Sequence, residues 1–167
     1  FTGAYNRDGD ETYTVVLNSS TNDQRFADTA ALANWYYGHK VTVAIANTQE
    51  KTANGNPLIA RISQTDWTDK TIDATLADPA AQATIFSLAG EVTEKVTYDD
   101  LSGTVHVGDK VGSVTLKQGG TKIAVMDLVA DEEGSGPNPI EWLLVKLDRL
   151  GRRIDNRPLT AESETIA

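Results

Sequence analysis

With 167 residues, of which 40% are hydrophobic and 23% charged, the chain has the composition of a globular protein, which excludes a wholly disordered one. The net charge of −9 argues against a nucleic-acid-binding protein, because neutralising phosphates needs clustered Lys and Arg. The absence of cysteine excludes disulfides, thiolate nucleophiles and cysteine-ligated zinc. The chain also contains no run of about 18 apolar residues, which a membrane-spanning helix would need.

The first residues, FTGAYNRDGDETYTVVLNS, predict a β-hairpin and do not resemble a signal peptide. The turn falls at Asn6-Arg7-Asp8-Gly9, where the Asp-Gly pair tolerates the positive φ that a tight hairpin turn requires. The second strand, Thr12 to Leu17, is rich in β-branched and aromatic residues, which favours a position inside a sheet rather than at its edge.

A helix is predicted from about Asn22 to Tyr37. Ser20, Thr21 and Asn22 are candidate N-caps, and Gly38 stands in the usual position just past the C-terminal end. Apolar residues recur at the helical period and predict a stripe that lies on a sheet. The stripe consists of Phe26, Ala30, Ala33 and Tyr37, broadened by Leu32, Trp35 and Tyr36.

Short strand-like segments separated by Gly, Asn and Asp fill the region from Lys40 to Ala130, and their spacing predicts a small all-β sandwich or barrel. The predicted strands are Val41–Ala46, Leu58–Ser63, Lys70–Ala77, Ala83–Ala89, Glu91–Tyr98, Val111–Leu116 and Lys122–Ala130. With two helices, the fold is expected to be mostly β and of the α+β class.

A linker is predicted next, because the segment from Asp131 to Pro139 is acidic and contains two glycines and two prolines. Ile140 to Leu150 then predicts an amphipathic helix with Asn138 as its N-cap. Residues 154–167 have no periodic pattern and are expected to form a loose tail.

The C-terminal helix has three interpretations. It packs on its own domain, it dimerises through its apolar stripe, or it binds the surface of an anionic membrane, as helices with Trp, Leu and Ile opposite Lys and Arg do. The candidate residues for contact with a membrane or a partner are Trp142, Leu143, Lys146, Leu147, Arg149, Arg152 and Arg153.

The residues predict no catalytic, cofactor-binding or metal-binding set in this chain. His39 and His106 are far apart in the sequence, and neither has the neighbours that a zinc site needs. A penicillin-type acyl-enzyme needs Ser-x-x-Lys, Ser-x-Asn and Lys-Thr-Gly motifs, and no serine has a lysine three residues later. Ser20-Thr21-Asn22 matches the second motif, but its position before a helix favours capping.

Four short motifs resemble, in order, the segment of penicillin-binding serine D-alanyl-D-alanine carboxypeptidases that follows their Lys-Thr-Gly strand. They are Arg7-Asp8-Gly9, Val15-Val16-Leu17, Arg25-Phe26-Ala27-Asp28 and Trp35-Tyr36-Tyr37-Gly38. Asn18 departs from the pattern, since the family usually has glycine there. LSGTVHVGDKVGSVTLKQGGTKIAVMDLVADEE is similar to the β-rich domain that follows in this family, and IEWLLVKLDRLGRR looks like its amphipathic C-terminal helix.

The resemblance implies that residues 1–39 end a catalytic domain, 40–131 form a β-rich domain, 132–139 a linker, 140–153 an anchoring helix and 154–167 a flexible tail. The parent enzyme would lie at the outer face of the bacterial cytoplasmic membrane. It would remove the terminal D-Ala from peptidoglycan stem peptides through an acylated serine, without a cofactor. Its catalytic motifs would precede Phe1, so this chain would position or anchor the enzyme and not catalyse.

Two other expectations accompany this one. HVGDKVGSVTL also looks like the hammerhead turns of lipoyl-type domains, so the alternative is a free-standing β-module for binding or carrying. Against it, Lys122 beside Gly119-Gly120 lacks the usual Met-Lys pair. Separately, the apolar stripe of the first helix needs a cover, which predicts self-association if a second copy supplies it.

Overall fold

The computed structural model describes residues 1–166, in which ten strands and two helices occur. In chain order they are β1 (Thr2–Arg7), β2 (Asp10–Val15), α1 (Asn22–Gly38), β3 (Lys40–Ala44), β4 (Ala60–Ser63), β5 (Thr71–Leu76), β6 (Gln82–Phe86), β7 (Val92–Tyr98), β8 (Lys110–Gln118), β9 (Thr121–Ala130), α2 (Pro139–Ile154) and β10 (Glu164–Thr165). The fold is mostly β with two helices, which confirms the predicted α+β class.

The chain divides into two compact units. The first consists of residues 1–42 with 84–90, and the second of residues 43–83 together with the chain from 91 onward. The sequence predicts no return of the chain to the first unit at residues 84–90. Strands β3 and β6 pair with each other as a separate two-stranded sheet.

The first unit begins with the predicted hairpin of β1 and β2. Asp8 and Gly9 both have positive φ, 54° and 84°, which is the backbone of the tight turn that an Asp-Gly pair favours. Among the described residues β2 pairs only with β1, so the prediction that it lies inside a sheet is wrong for this structure. Asn18 also has positive φ, 61°, a conformation that suits the glycine usual at this point in the resembled family.

Helix α1 packs on the hairpin through small residues. Thr21 is the N-cap, since its hydroxyl accepts a hydrogen bond from the Gln24 amide at 3.1 Å. Thr29 and Ala33 are buried, and the Tyr5 hydroxyl donates to Thr29 Oγ1 at 2.8 Å. The predicted stripe is therefore only partly right, because its large members Phe26, Leu32 and Trp35 remain exposed. Two strands are too narrow to cover so broad a stripe.

The second unit is built on a six-stranded antiparallel sheet in the order β10-β4-β5-β9-β8-β7. The sheet is nearly closed and barrel-like, since the hydroxyls of Tyr98 on β7 and Thr165 on β10 form a hydrogen bond between its two edge strands. Its interior is filled by branched side chains that alternate along the strands, as the period of a half-buried strand requires. They include Ile62, Ile72, Leu76, Val111, Val114, Leu116 and Leu128.

The predicted linker is fastened to the second unit by hydrogen bonds. Asp131 is buried, Gly134 and Val105 exchange two backbone hydrogen bonds of 2.8 Å, and the Ser135 carbonyl accepts one of 2.9 Å from the Trp67 indole. The expected loose tail also differs from the structure, because its residues Glu164–Thr165 form β10 beside β4. Composition gives no sign of these contacts, since their partners are distant in sequence.

Gly112 of β8 lies opposite Tyr98 of β7, at a point where the two backbones leave no room for a side chain. A Cβ atom at this position would lie 2.3 Å from the Thr97 carbonyl oxygen, which is part of the backbone of β7. We therefore expect Gly112→Ala to lower the free energy of unfolding by about 1–3 kcal/mol through overpacking. Urea denaturation measures this, with Ser113→Ala on the same strand as a control expected within about 0.5 kcal/mol of wild type. Equal stability of all three proteins would contradict the prediction.

Candidate functional site

Helix α2 carries the predicted contact residues, and its beginning is fixed by local chemistry. The Asn138 side chain accepts hydrogen bonds of 3.0 Å from the amides of Ile140 and Glu141, and the Glu141 carboxylate accepts one of 2.8 Å from the Asn138 amide. This reciprocal capping box satisfies donors that a helix N-terminus otherwise leaves without partners. Pro139 follows as the first helical residue, which confirms the predicted cap.

One side of α2 packs on the rest of the second unit, to which the helix belongs. Val145 is its one buried residue among those described, at 7% exposure. The Arg149 guanidinium donates to the carbonyls of Thr65 and Trp67. The helix is therefore held by a narrow line of contacts on one side.

The opposite side of α2 presents its leucines and isoleucines to solvent. These six side chains are 55% to 86% exposed. At about 100° per residue they occupy an arc of about 120°, which we call the apolar arc. The apolar arc consists of Ile140, Leu143, Leu144, Leu147, Leu150 and Ile154. An amphipathic helix normally buries its apolar face. Because the apolar arc is exposed, it is available for contact with another molecule or a membrane.

Cations border the apolar arc on one flank. Lys146 and Arg153 are seven residues apart and therefore lie on the same side of the helix, about two turns from each other. The Lys146 ammonium lies 5.1 Å from the centre of the Trp142 ring. Arg152 is placed differently, because it pairs with Asp148 one turn earlier at 2.7 Å. That hydrogen bond, followed by one from Thr68, lowers the pKa of the Asp148 carboxyl.

The predicted contact residues thus separate into two groups. Trp142, Leu143, Lys146, Leu147 and Arg153 are exposed, whereas Arg149 and Arg152 are half-buried and are engaged by the protein itself. Sequence reasoning left the other four members of the apolar arc out of the contact set. The helical period of Ile140, Leu144 and Leu150 is visible in the sequence, whereas Ile154 falls within the predicted loose tail. The period does not say which side of the helix packs on the domain.

The histidines have separate local partners. His39 Nδ1 lies 3.0 Å from the Ser87 hydroxyl, and His106 Nδ1 lies 2.9 Å from the Glu133 carboxylate. The hydrogen bond from His106, followed by one from the Val107 amide, lowers the pKa of Glu133. Within residues 1–166, no cluster of three or more His, Asp or Glu side chains could hold a metal ion. No helix in this part of the chain is both long enough and apolar enough to cross a bilayer.

The first unit has an exposed apolar groove of its own. It has a volume of about 760 Å³ and lies between the end of β2 and the outer side of α1. Its lining includes Leu17, 84% exposed, and Trp35, 53% exposed. The indole also contacts the rings of His39 and Phe86, at centroid distances of 4.8 and 5.9 Å. The large apolar side chains of α1 are thus left uncovered by the hairpin.

Comparisons with known proteins find similarity among solved structures. No family model matches the chain, and no curated protein matches it. The D-alanyl-D-alanine carboxypeptidase DacD from Francisella tularensis has a TM-score of 0.44 and 15% identity, covering 81% of this chain and 33% of its own. Penicillin-binding protein 5 from Haemophilus influenzae has a TM-score of 0.44 and 14% identity, with coverages of 80% and 38%. The chain spans about a third of the length of these structures.

Proposed function

We propose that this chain is the C-terminal accessory part of a serine D-alanyl-D-alanine carboxypeptidase, and that α2 anchors the enzyme to the outer face of the bacterial cytoplasmic membrane. The ordered motifs from Arg7 to Gly38 support the first half of the proposal. The hairpin turn at Asp8-Gly9 and the positive φ of Asn18 suit the backbone that those motifs imply. In this proposal the chain positions the enzyme, and the reacting serine lies elsewhere in the parent.

The observation that carries the anchoring role is the orientation of α2. Its apolar arc faces solvent, while Val145 on another side is buried. Helix α2 contains four cations and two carboxylates, so it is locally basic in a chain of net charge −9. An apolar face next to cations and a tryptophan is typical of helices that lie in the headgroup region of anionic bilayers.

Penicillin labelling tests the enzymatic half of the proposal. We expect fluorescent penicillin to label the full-length gene product, because its serine would form a stable acyl-enzyme, and to leave this chain unlabelled. An unlabelled full-length product would contradict the assignment to this enzyme class. Labelling of this chain alone would contradict the accessory role.

Vesicle sedimentation tests the anchoring half. We expect the chain to sediment with vesicles that contain phosphatidylglycerol and to stay largely in solution with vesicles of phosphatidylcholine alone, because anionic headgroups attract the basic flank. A chain that stays in solution with both kinds of vesicle would show that α2 is not an anchor.

Self-association is the second interaction proposed for the isolated chain. Phe26, Leu32 and Trp35 of α1 are 56%, 43% and 53% exposed, and burial against a second copy would remove their apolar surface from water. We expect light scattering to give a mass that rises with concentration, and Phe26→Ser with Trp35→Ser to return it to that of a monomer. A wild-type monomer at all concentrations would contradict this.

The placement of Lys122 gives the carrier alternative no support. A carrier lysine stands at the tip of a hairpin, but the tip between β8 and β9 is formed by Gly119 and Gly120. Lys122 lies within β9, where its register partner is Lys117 of β8. It is therefore part of the sheet and not of an exposed tip.

A further inference from the structure

A positively charged recess, with three cations and no carboxylate in its lining, lies against the basic flank of α2. It has a volume of about 410 Å³ and is formed by α2, the loop at Thr65, and residues 159–160 after the helix. Three of its lining residues are cations and two are threonines, and all belong to the second unit. They are Lys146, Arg149, Arg153, Thr65 and Thr160, with Leu150 and Leu159 completing the wall.

The positive charge of this recess is not balanced by the protein. No carboxylate lines it, and among residues 1–166 neither Lys146 nor Arg153 forms an ion pair. The Arg149 guanidinium donates to two carbonyls through one terminal nitrogen, while its Nε is buried without a hydrogen-bond partner. A buried donor without a partner costs free energy unless a ligand or water satisfies it.

The opposite flank of α2 serves as an internal comparison. A smaller recess of about 310 Å³ there is lined by Asp69, Glu141 and Asp148 against a single cation, Arg152. Since both recesses lie along the same helix, their difference follows from the side chains and not from a general property of the surface. Of these two recesses, the one on the basic flank suits an anion.

We propose that this recess binds the phosphate of an anionic phospholipid headgroup, an inference that rests on the proposed membrane role of α2. A phosphodiester offers oxygen acceptors to guanidinium and ammonium donors, which form strong charge-assisted hydrogen bonds with phosphate. The Thr160 hydroxyl adds a neutral donor, whereas the Thr65 hydroxyl already donates to the Leu101 carbonyl at 2.8 Å. A phosphodiester carries the same single charge as a carboxylate but offers four oxygens instead of two, so more of these donors can reach it at once.

Leu150 connects the recess with the membrane-facing side of the helix. It lines the recess and also belongs to the apolar arc, where it is 56% exposed. A headgroup in the recess therefore has its glycerol and first acyl carbons beside an apolar side chain that leads into the bilayer. The recess thereby fixes which flank of α2 lies toward the headgroups.

Vesicle binding with matched surface potential tests the inference on the full chain. Vesicles of a neutral glycolipid, which contains no phosphate, are doped either with phosphatidylglycerol or with oleate, whose carboxylate supplies charge without a phosphodiester, and are adjusted to equal zeta potential. We expect about tenfold tighter binding to the phosphatidylglycerol vesicles, and loss of this preference in Lys146→Gln with Arg153→Gln. The control, Lys122→Gln with Arg157→Gln, removes the same charge outside the recess and should keep the preference.

The outcomes separate the headgroup site from the anchor. Equal binding of the wild-type chain to both anionic vesicles would overturn the headgroup site and leave the anchoring role intact. Loss of the preference in the control pair as well would also overturn it, because net charge would then explain the effect. Binding to no vesicle would overturn the anchor and the headgroup site together. Nuclear magnetic resonance with soluble glycerophosphoglycerol is a second readout, and unchanged amide signals at Thr65 and Thr160 would count against the site.

Discussion

Replacing Leu143 and Leu147 together with glutamine is expected to weaken binding to anionic vesicles about a hundredfold while leaving thermal stability unchanged. Both side chains are more than half exposed, so the folded chain loses little when they become polar. In an anchored helix they enter apolar surroundings, and burying one leucine contributes about 1.5–3 kcal/mol. Since about 1.4 kcal/mol changes an affinity tenfold, two leucines reach about a hundredfold.

The measurement is sedimentation over a range of lipid concentrations, with circular dichroism to show that α2 remains helical. Val107→Gln is a matched control, because Val107 is 52% exposed in the same unit and lies outside α2. The control should bind vesicles as the wild type does. A double variant that binds like the wild type would show that the apolar arc is not the membrane contact. If the double variant instead lowers the mass seen by light scattering, the apolar arc is a dimer surface.

Sequence reasoning succeeded where the relevant chemistry is local. The positive φ of Asp8 and Gly9 follows from the preference of an Asp-Gly pair for tight hairpin turns. The N-cap of α2 follows from Asn138, whose side chain accepts hydrogen bonds from the first turn of the helix. Short-range interactions of this kind decide where elements begin and end, and they do so largely independently of the rest of the fold.

Sequence reasoning was incomplete where the tertiary structure chooses between two apolar surfaces. In α2 the period marks an apolar side, yet Val145 on another side is the residue that is buried. In α1 the buried residues are Thr29 and Ala33, whose small size allows the helix to approach the hairpin. Periodicity reports which residues share a side of a helix, but the neighbouring elements decide which side is covered.

The segment that precedes α2 shows the same lesson for a polar residue. Asp131 lies in an acidic stretch that composition assigns to a linker, yet it is 6% exposed. Its carboxylate accepts hydrogen bonds from the Thr52 hydroxyl and, at 3.0 Å, from the Asn56 amide, and its own amide donates to the Asp73 carbonyl at 2.9 Å. Asp131, which directly follows β9, is therefore tied both to the loop around residues 52–56 and to β5.

Asp131→Ala is accordingly expected to lower the free energy of unfolding by about 2–4 kcal/mol. It leaves the buried Thr52 hydroxyl and the half-buried Asn56 side-chain amide without acceptors, at about 1–3 kcal/mol each, offset in part by removing a buried charge. Urea denaturation measures the change. Asp127→Ala is the control, since its carboxylate pairs with Lys110 on the surface and contributes about 1 kcal/mol or less. Because α2 itself makes the proposed membrane contact, vesicle affinity should stay near that of the wild type while the variant remains folded. Equal stability of the two variants would show that Asp131 does not hold this segment in place.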